Sequence, residues 1–150
     1  MAVRELSDAD RAWARLLIDE VWGLPVVSVS GVHDDPGALP GFVAEGDDGE
    51  PVGLLTYRVD EVGCEVVVLL VTEEGRGHGR ALMEAVREVV QGLGARRLWL
   101  STTDDNIGAQ RFYARLGMRE VARHRDFVEV VRRSKLASTG YRDAIEFEWP

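Results

Sequence analysis

The 150-residue sequence has a single cysteine, Cys64, which excludes an internal disulfide and a cysteine-rich metal site. Its three histidines, His33, His78 and His124, are scattered without ligand spacing, so no metal is expected. Cys64 opens an apolar run, and no histidine follows it in a pairing pattern. It reads as a small buried residue rather than a nucleophile. Long apolar runs are missing too. The longest, Val66 to Val71, is far short of the roughly 20 residues a membrane-spanning helix needs. The opening "MAVRELSDAD" lacks the apolar segment of a signal peptide. These absences lead to the expectation of a cytoplasmic protein with no membrane partner.

A hydrophobic content of 45% and a charged content of 29% suit one globular domain over residues 1–150 with a single core. The net charge of −8 is unevenly spread. Residues 1–75 hold 16 acids against 4 bases, and residues 76–150 hold 10 against 14, giving −12 and +4. An acidic balance of this kind argues against a nucleic-acid partner. The polarity suits an anionic ligand handled by one half and a cationic one by the other, or simply two ordinary solvated surfaces.

Periodicity orders the elements. "VREL" reads as a short strand. Ser7 then opens a helix with Asp10 at capping-box spacing, and Ala9, Trp13, Leu16, Leu17 and Val21 form its core-facing stripe through about Trp22. "GLPVVSVSGVHDDPGALPG" reads as an irregular connection with a short strand at Val26 to Val29. "FVAEGDDGEPVGLLTYRV" is a strand, an acidic turn at Asp47 to Glu50, and a strand. "CEVVVLLV" follows as a nearly all-apolar central strand. A helix carrying Ala81, Leu82, Ala85, Val86, Val89 and Leu93 ends at Gly92 and Gly94. "RRLWLSTT" is a strand. Asn106 caps a helix with Ala109, Phe112, Tyr113 and Leu116 on one face and Gly117 as its stop. "MREVARH" reads as a strand, Asp126 to Lys135 as a short helix or loop, and "DAIEFEWP" as a final strand. A mixed sheet with helices on its faces is expected.

The segment "EEGRGHGRAL" sets glycines between a strand and a helix, an arrangement that offers free amides and a helix dipole to an anion. A Walker A loop needs Lys then Ser or Thr after its last glycine, and Arg80 and Ala81 stand there instead. The dinucleotide pattern GxGxxG fails in both registers, at Arg80 and at Leu82. What fits is RxxGxA, carried by Arg76, Gly79 and Ala81 shortly after Val71. With this motif the chain resembles the GCN5-related N-acetyltransferase (GNAT) family, although Glu73 replaces that family's usual proline. "NIGAQRFYARLGM" is similar to the family's later NxxAxxFYxxLGF helix, with Met118 in place of an aromatic. "LPGFVAEGDDGEPVGLLTY" is similar to its central hairpin, so the resemblance spans about Val3 to Trp149.

The resemblance implies the α/β acyl-CoA N-acyltransferase fold, a mixed and mostly antiparallel sheet flanked by helices. It further implies transfer of an acetyl group from acetyl-CoA directly to an amine, without metal and possibly as a homodimer. Arg76, Gly77, His78, Gly79, Arg80 and Ala81 become the pyrophosphate loop, Leu69 and Val71 the strand that pairs with pantetheine, and Asn106 a further cofactor contact. His78 is expected to give its backbone N–H. Tyr113 matches the tyrosine facing the thioester sulfur, where a phenol can donate a proton to the leaving thiolate, or it is a packing residue beside Phe112. A backbone N–H near Leu69 would stabilise the oxyanion.

A lysine-like acceptor amine, with a reference pKa of about 10.4, must lose a proton to react. Glu65 is the first candidate base, because a carboxylate within "CEVVVLL" needs a wet site or a partner. Glu61, Asp104 and Asp105 at strand ends are further candidates. The resemblance assigns the acceptor pocket to the first helix and its connection, with Trp22, His33, Asp34 and Asp35, and hence a small or cationic amine. The basic run "RHRDFVEVVRRSKL" either meets cofactor phosphates or an acidic partner, or is a solvated face. A catalytically silent acyl-CoA sensor and a nucleotide-binding protein remain as alternatives.

Overall fold

The computed structural model describes residues 2–61, 63–125 and 143–149. The described residues pack as two compact units. One is drawn from Met1–Val26 and His33–Leu98, the other from Val27–Val32 and Trp99–Pro150. In chain order the elements are β1 (Ala2–Glu5), α1 (Arg11–Val21), β2 (Val26–Ser28), β3 (Gly31–His33), β4 (Gly41–Glu45), β5 (Pro51–Val59), β6 (Cys64–Val71), α2 (His78–Leu93), β7 (Leu98–Thr103), α3 (Ile107–Leu116), β8 (Arg119–His124) and β9 (Ala144–Trp149). Short 3-10 turns at Asp8–Asp10 and Pro36–Ala38 precede α1 and β4. The expected helix or loop at Asp126 to Lys135 lies outside the described residues.

The first unit orders its strands β1-β4-β5-β6, antiparallel at each step. Alternation along β4 and β5 divides the apolar side chains between two faces. Val43 and Leu54 join Ala14 and Ile18 of α1 in one core, with Trp13, Leu17 and Leu70 packed against it. On the other face, a Cβ at Gly53 would stand 3.0 Å from Leu82 of α2 and 3.2 Å from Ala44. Leu54 and Leu55 are therefore both wholly buried although adjacent. Each such burial contributes about 2 kcal/mol. The acidic turn forms as expected: Gly46 donates to Glu50 at 2.9 Å, and the Asp48 carboxylate accepts from the Glu50 N–H at 3.0 Å.

The helix stripes needed correction. On α1 the buried residues are Ala14 and Ile18, whereas Leu16 and Val21 are more than half exposed and Ala9 is exposed. The expected continuous helix from Ser7 begins instead with a 3-10 turn; within α1, Trp13 and Leu17 pack against the core as expected, but they share that face with Ala14 and Ile18 rather than with Leu16 and Val21. At that turn the Asp10 carboxylate accepts from the Ser7 N–H at 2.8 Å, so the acidic half of the capping arrangement is present. Arg4 of β1 also grips Asp10 at 2.7 and 3.0 Å, holding that carboxyl well below the usual range. On α2, Leu82, Met83, Val86 and Val90 are buried while Leu93 is 60% exposed beside the left-handed cap at Gly94.

In the second unit, β8 and β9 pair antiparallel. β2 with β3 forms a separate two-stranded sheet. α3 buries Tyr113 and Leu116 and stops at left-handed Gly117, as its pattern predicts. Together the units form a mixed α/β fold of mostly antiparallel strands.

Two glycines give opposite predictions. A Cβ at Gly41 would collide with the Leu55 carbonyl and stand 3.1 Å from Thr56 Cα, backbone atoms that cannot move aside. Gly41→Ala should therefore cost about 3 kcal/mol in urea unfolding. Gly92, inside α2 with nothing near its missing Cβ, should gain about 0.5–1 kcal/mol as Gly92→Ala.

Candidate active site

Strand β6 starts where the Cys64 N–H donates to the Arg97 carbonyl at 2.7 Å, and it ends where the Thr72 N–H and hydroxyl both donate to the Val52 carbonyl at 2.8 and 3.1 Å. Cys64 is wholly buried, and burial pushes its thiol up to about 12, the state of an inert packing residue. Its ladder with β5 runs Leu55↔Leu69 and Gly53↔Val71 but shifts register between Thr56↔Val68 and Tyr57↔Val66. Val67 falls at that shift, with no β5 residue opposite it. This irregularity lies two residues before Leu69. Exposure rises along the strand, from buried Val66 to Val68 to half-buried Leu69 and Val71.

The three glycines of the loop play different parts. Gly75 (φ 78°) and Gly77 (φ 82°) hold left-handed backbone that disfavours side chains. Gly79 lies inside the first turn of α2. The Ala81 N–H is the first to return to the helix, to Gly77 at 3.1 Å, so the amides of His78, Gly79 and Arg80 precede the ladder. Arg76 is exposed, Ala81 is half-buried, and Arg80 is half exposed with Glu84 at 3.9 Å. His78 differs from its expected place. It is the first residue of α2, only 4% exposed, and its buried Nδ1 has no partner. The free amides, the positive-φ turns and this unpartnered ring nitrogen fit an anionic group such as the pyrophosphate of acetyl-CoA.

Among the described residues Glu65 is the most buried acid, 1% exposed. Its cross-strand neighbour Arg58 donates from Nε to Glu65 Oε1 at 2.9 Å and from Nη1 to Asp60 Oδ2 at 2.7 Å. Burial pulls the Arg58 guanidinium down, but the two carboxylates more than offset it and leave it raised. The Gly63 N–H donates to the other Asp60 oxygen at 3.1 Å, closing the turn that brings Arg58 opposite Glu65. Sequence reading missed Arg58; the available signal was a basic residue seven positions before a buried acid, across a turn. His33, half-buried on β3, is held below its ordinary value by burial, with Glu65 raising it and Arg58 lowering it.

The acceptor-pocket candidates divide. Asp35 forms a two-point ion pair with Arg15 at 2.9 Å and is thereby lowered, while Arg11 donates to the Gly37 carbonyl at 2.8 Å and to the Leu39 carbonyl. These contacts bolt the connection to α1. Asp34 and Trp22 are exposed.

Asn106 and Tyr113 belong to the second unit. The Asn106 Oδ1 caps α3 by accepting from the Ala109 N–H at 3.2 Å. Tyr113 is 8% exposed, its ring 5.5 Å from Phe112 and 5.6 Å from Phe147, and burial pushes its phenol up to about 12. Among the described residues no group of three potential ligands could hold a metal ion, and no helix is long and apolar enough to cross a membrane.

The chain belongs to the acetyltransferase (GNAT) family, whose model matches residues 6–118. It is 35% identical over 114 residues to uncharacterized protein YdhI of Bacillus subtilis, covering 76% of this chain and 71% of that one. Among solved structures it is similar to yncA of Salmonella typhimurium with its cofactor acetyl-CoA, at TM-score 0.75 and 16% identity, over 99% and 92% of the two chains. A spermidine N-acetyltransferase SpeG chimera from Vibrio cholerae and hSSAT gives TM-score 0.75 at 15% identity, over 99% and 96%.

Because Glu65 is sealed and Arg58 is its cross-strand partner, Arg58→Ala should cost about 3 kcal/mol in urea unfolding. Replacing both residues by methionine should cost clearly less, since no buried charge is then stranded.

Proposed function

We propose that the protein is an acetyl-CoA-dependent N-acetyltransferase acting by direct transfer to a small or cationic amine. The observation that carries this reading is the loop Arg76–Ala81, with left-handed Gly77, amides ahead of the α2 ladder and the unpartnered His78 Nδ1, inside a chain of the GNAT family. Acetyl-CoA supplies an acetyl group activated as a thioester. Arg76, Gly77, His78, Gly79, Arg80 and Ala81 bind its pyrophosphate, Leu69 and Val71 pair with its pantetheine arm, and Asn106 is a further contact, added to its role as helix cap. The backbone around the Val67 bulge donates to the carbonyl oxygen as negative charge develops. The cluster around Glu65 accepts the ammonium proton.

Tyr113 faces the leaving sulfur. A phenol near 12 stays protonated throughout the neutral range. Full transfer to a thiolate of ordinary pKa, about 8.5, would be uphill by on the order of a thousandfold. Tyr113 therefore acts chiefly as a hydrogen-bond donor, and the second ammonium proton ends on sulfur. The preference for a cationic acceptor follows from charge. Each of the four bases in residues 1–75 is engaged: Arg4 with Asp10 and Glu45, Arg11 with backbone carbonyls, Arg15 with Asp35, and Arg58 with Asp60 and Glu65. Most acids of that half are left to act on the surroundings. The family match, 6–118, runs through both units and favours a single catalytic domain over residues 1–150. A cytoplasmic homodimer completes the proposal, on the family resemblance. The packing of Tyr113 between two phenylalanine rings favours one second reading, a catalytically silent acyl-CoA sensor.

Acetyl-CoA should raise the melting temperature more than ATP does. With spermidine, an alanine-initiated peptide and aniline as acceptors, thiol release and product mass should show transfer, faster at low salt for the cationic amines than for neutral aniline. Tyr113→Phe should lower turnover on the order of a hundredfold while keeping the acetyl-CoA melting shift. Binding without transfer to any amine would select the sensor.

A further inference from the structure

α2 does not cover the whole sheet face beneath it. It packs over β5 through Leu82, which stands against Gly53, while β1 is the edge strand two places further out. Val3 and Glu5 of β1 lie opposite Ala44 and Phe42, and Ala44 lies opposite Gly53, so these side chains share the face that α2 occupies. The helix turns Ala81, Ala85 and Val89, at every fourth position, toward that edge. The two alanines are too short to reach β1, and a groove of 680 Å³ is left between strand and helix. Its floor is apolar, from Val3, Phe42, Ala85 and Val89, and the Phe42 ring is fixed there by stacking on Tyr57 at 6.1 Å.

Both banks of the groove are acidic. Glu5 stands on the strand side, Glu84 and Glu88 on the helix side. Glu5 and Glu88 are exposed and make no ion pair or side-chain hydrogen bond among the described residues, and Glu84 meets only Arg80, at 3.9 Å. Arg4 is the one base in the lining. Its side chain leaves by the opposite face of β1, where the guanidinium is held by Asp10 and Glu45 at 2.7 and 3.3 Å.

We propose that this groove is a second binding site, for a linear aliphatic polyamine, with Glu5 and Glu88 holding its ammonium groups and Val3, Phe42, Ala85 and Val89 packing its methylenes. Other occupants fail on charge or size. Phosphates of a cofactor would meet carboxylates on both banks. A metal ion needs ligands converging on one point, and no group of three that could hold one occurs among the described residues. A stable protein partner needs about 800 Å² of interface per side. The groove instead has the volume of a small-ligand pocket, roughly 300–1,000 Å³. A lone ammonium would leave one bank unpaired, whereas two or more joined by methylenes answer both banks and the floor together. Of the residues assigned to acyl transfer only Ala81 borders the groove, so an amine held here is a second ligand rather than the acceptor. Its binding involves no acetyl transfer and stands or falls apart from the reading of catalysis.

The test is an NMR titration of the intact protein with spermidine, in the absence of acetyl-CoA. Spermidine should move the methyl signals of Val3, Ala85 and Val89 and the ring signals of Phe42 with one saturable affinity, which weakens as salt is added. Glu5→Gln and Glu88→Gln should each weaken that affinity about threefold, and the double substitution about tenfold. A neutral diol of equal chain length and magnesium ion should leave the same signals in place. Spermidine that moves only signals elsewhere, such as those of Trp22 and His33, overturns the proposal. So does a magnesium response equal to that of spermidine, which would make the groove a diffuse acidic surface. A lysine-bearing peptide that moves the groove signals where spermidine does not overturns the polyamine as occupant. The wild-type titrations decide the matter even if a substituted chain fails to fold.

Discussion

The first unit depends on burying β5 from both sides at once. Leu54 and Leu55 are neighbours in sequence, yet both are wholly buried because a strand sends successive side chains to opposite faces. α1 covers the Leu54 side and α2 the Gly53 side. Neither helix could be lost without exposing a row of apolar residues. Small residues answer this constraint where space runs out: Gly53 leaves room for Leu82, and Gly41 lets β4 lie against the Leu55 carbonyl. The same two-sided burial explains why the one acid within β6, Glu65, needs a guanidinium beside it.

Charge in this unit is used structurally before it is available for ligands. Arg4 ties β1 to the turn ahead of α1, Arg11 and Arg15 fasten the connection to α1, and Arg58 holds Glu65. The acidic excess seen in composition is thus what remains after each base has been assigned a partner. It gives the segment containing His33 a defined setting, because Arg15 and Arg11 fix the chain that follows β3.

Patterns that depend on neighbours along the chain were legible in the sequence. The acidic hairpin turn, the Asn106 cap, the Gly117 stop and the glycine loop before α2 all appear where the residues placed them. On α1, Trp13 and Leu17 reach the core but Leu16 and Val21 do not, because periodicity does not say on which side of the Trp13–Leu17 row the sheet will lie, and the sheet meets Ala14 and Ile18. Leu93 was assigned to the core although the helix end lifts it into solvent. For the site, the sequence indicated Glu65 as a carboxylate needing explanation, but the explanation, Arg58, lies across a strand pair.

By itself the sequence determined the family and the glycine-rich turn between strand and helix, since each is written in short-range spacing: RxxGxA, the NxxAxxFY helix and the strand that precedes the loop. Only the tertiary structure decided which of the candidate side chains have partners. It seals Glu65 against Arg58, buries His78 with an unpartnered nitrogen and packs Tyr113 between aromatic rings. The physical reason is that burial and electrostatic pairing depend on separations through space. Antiparallel pairing brings residues seven apart, such as Arg58 and Glu65, into contact only once the hairpin register is set.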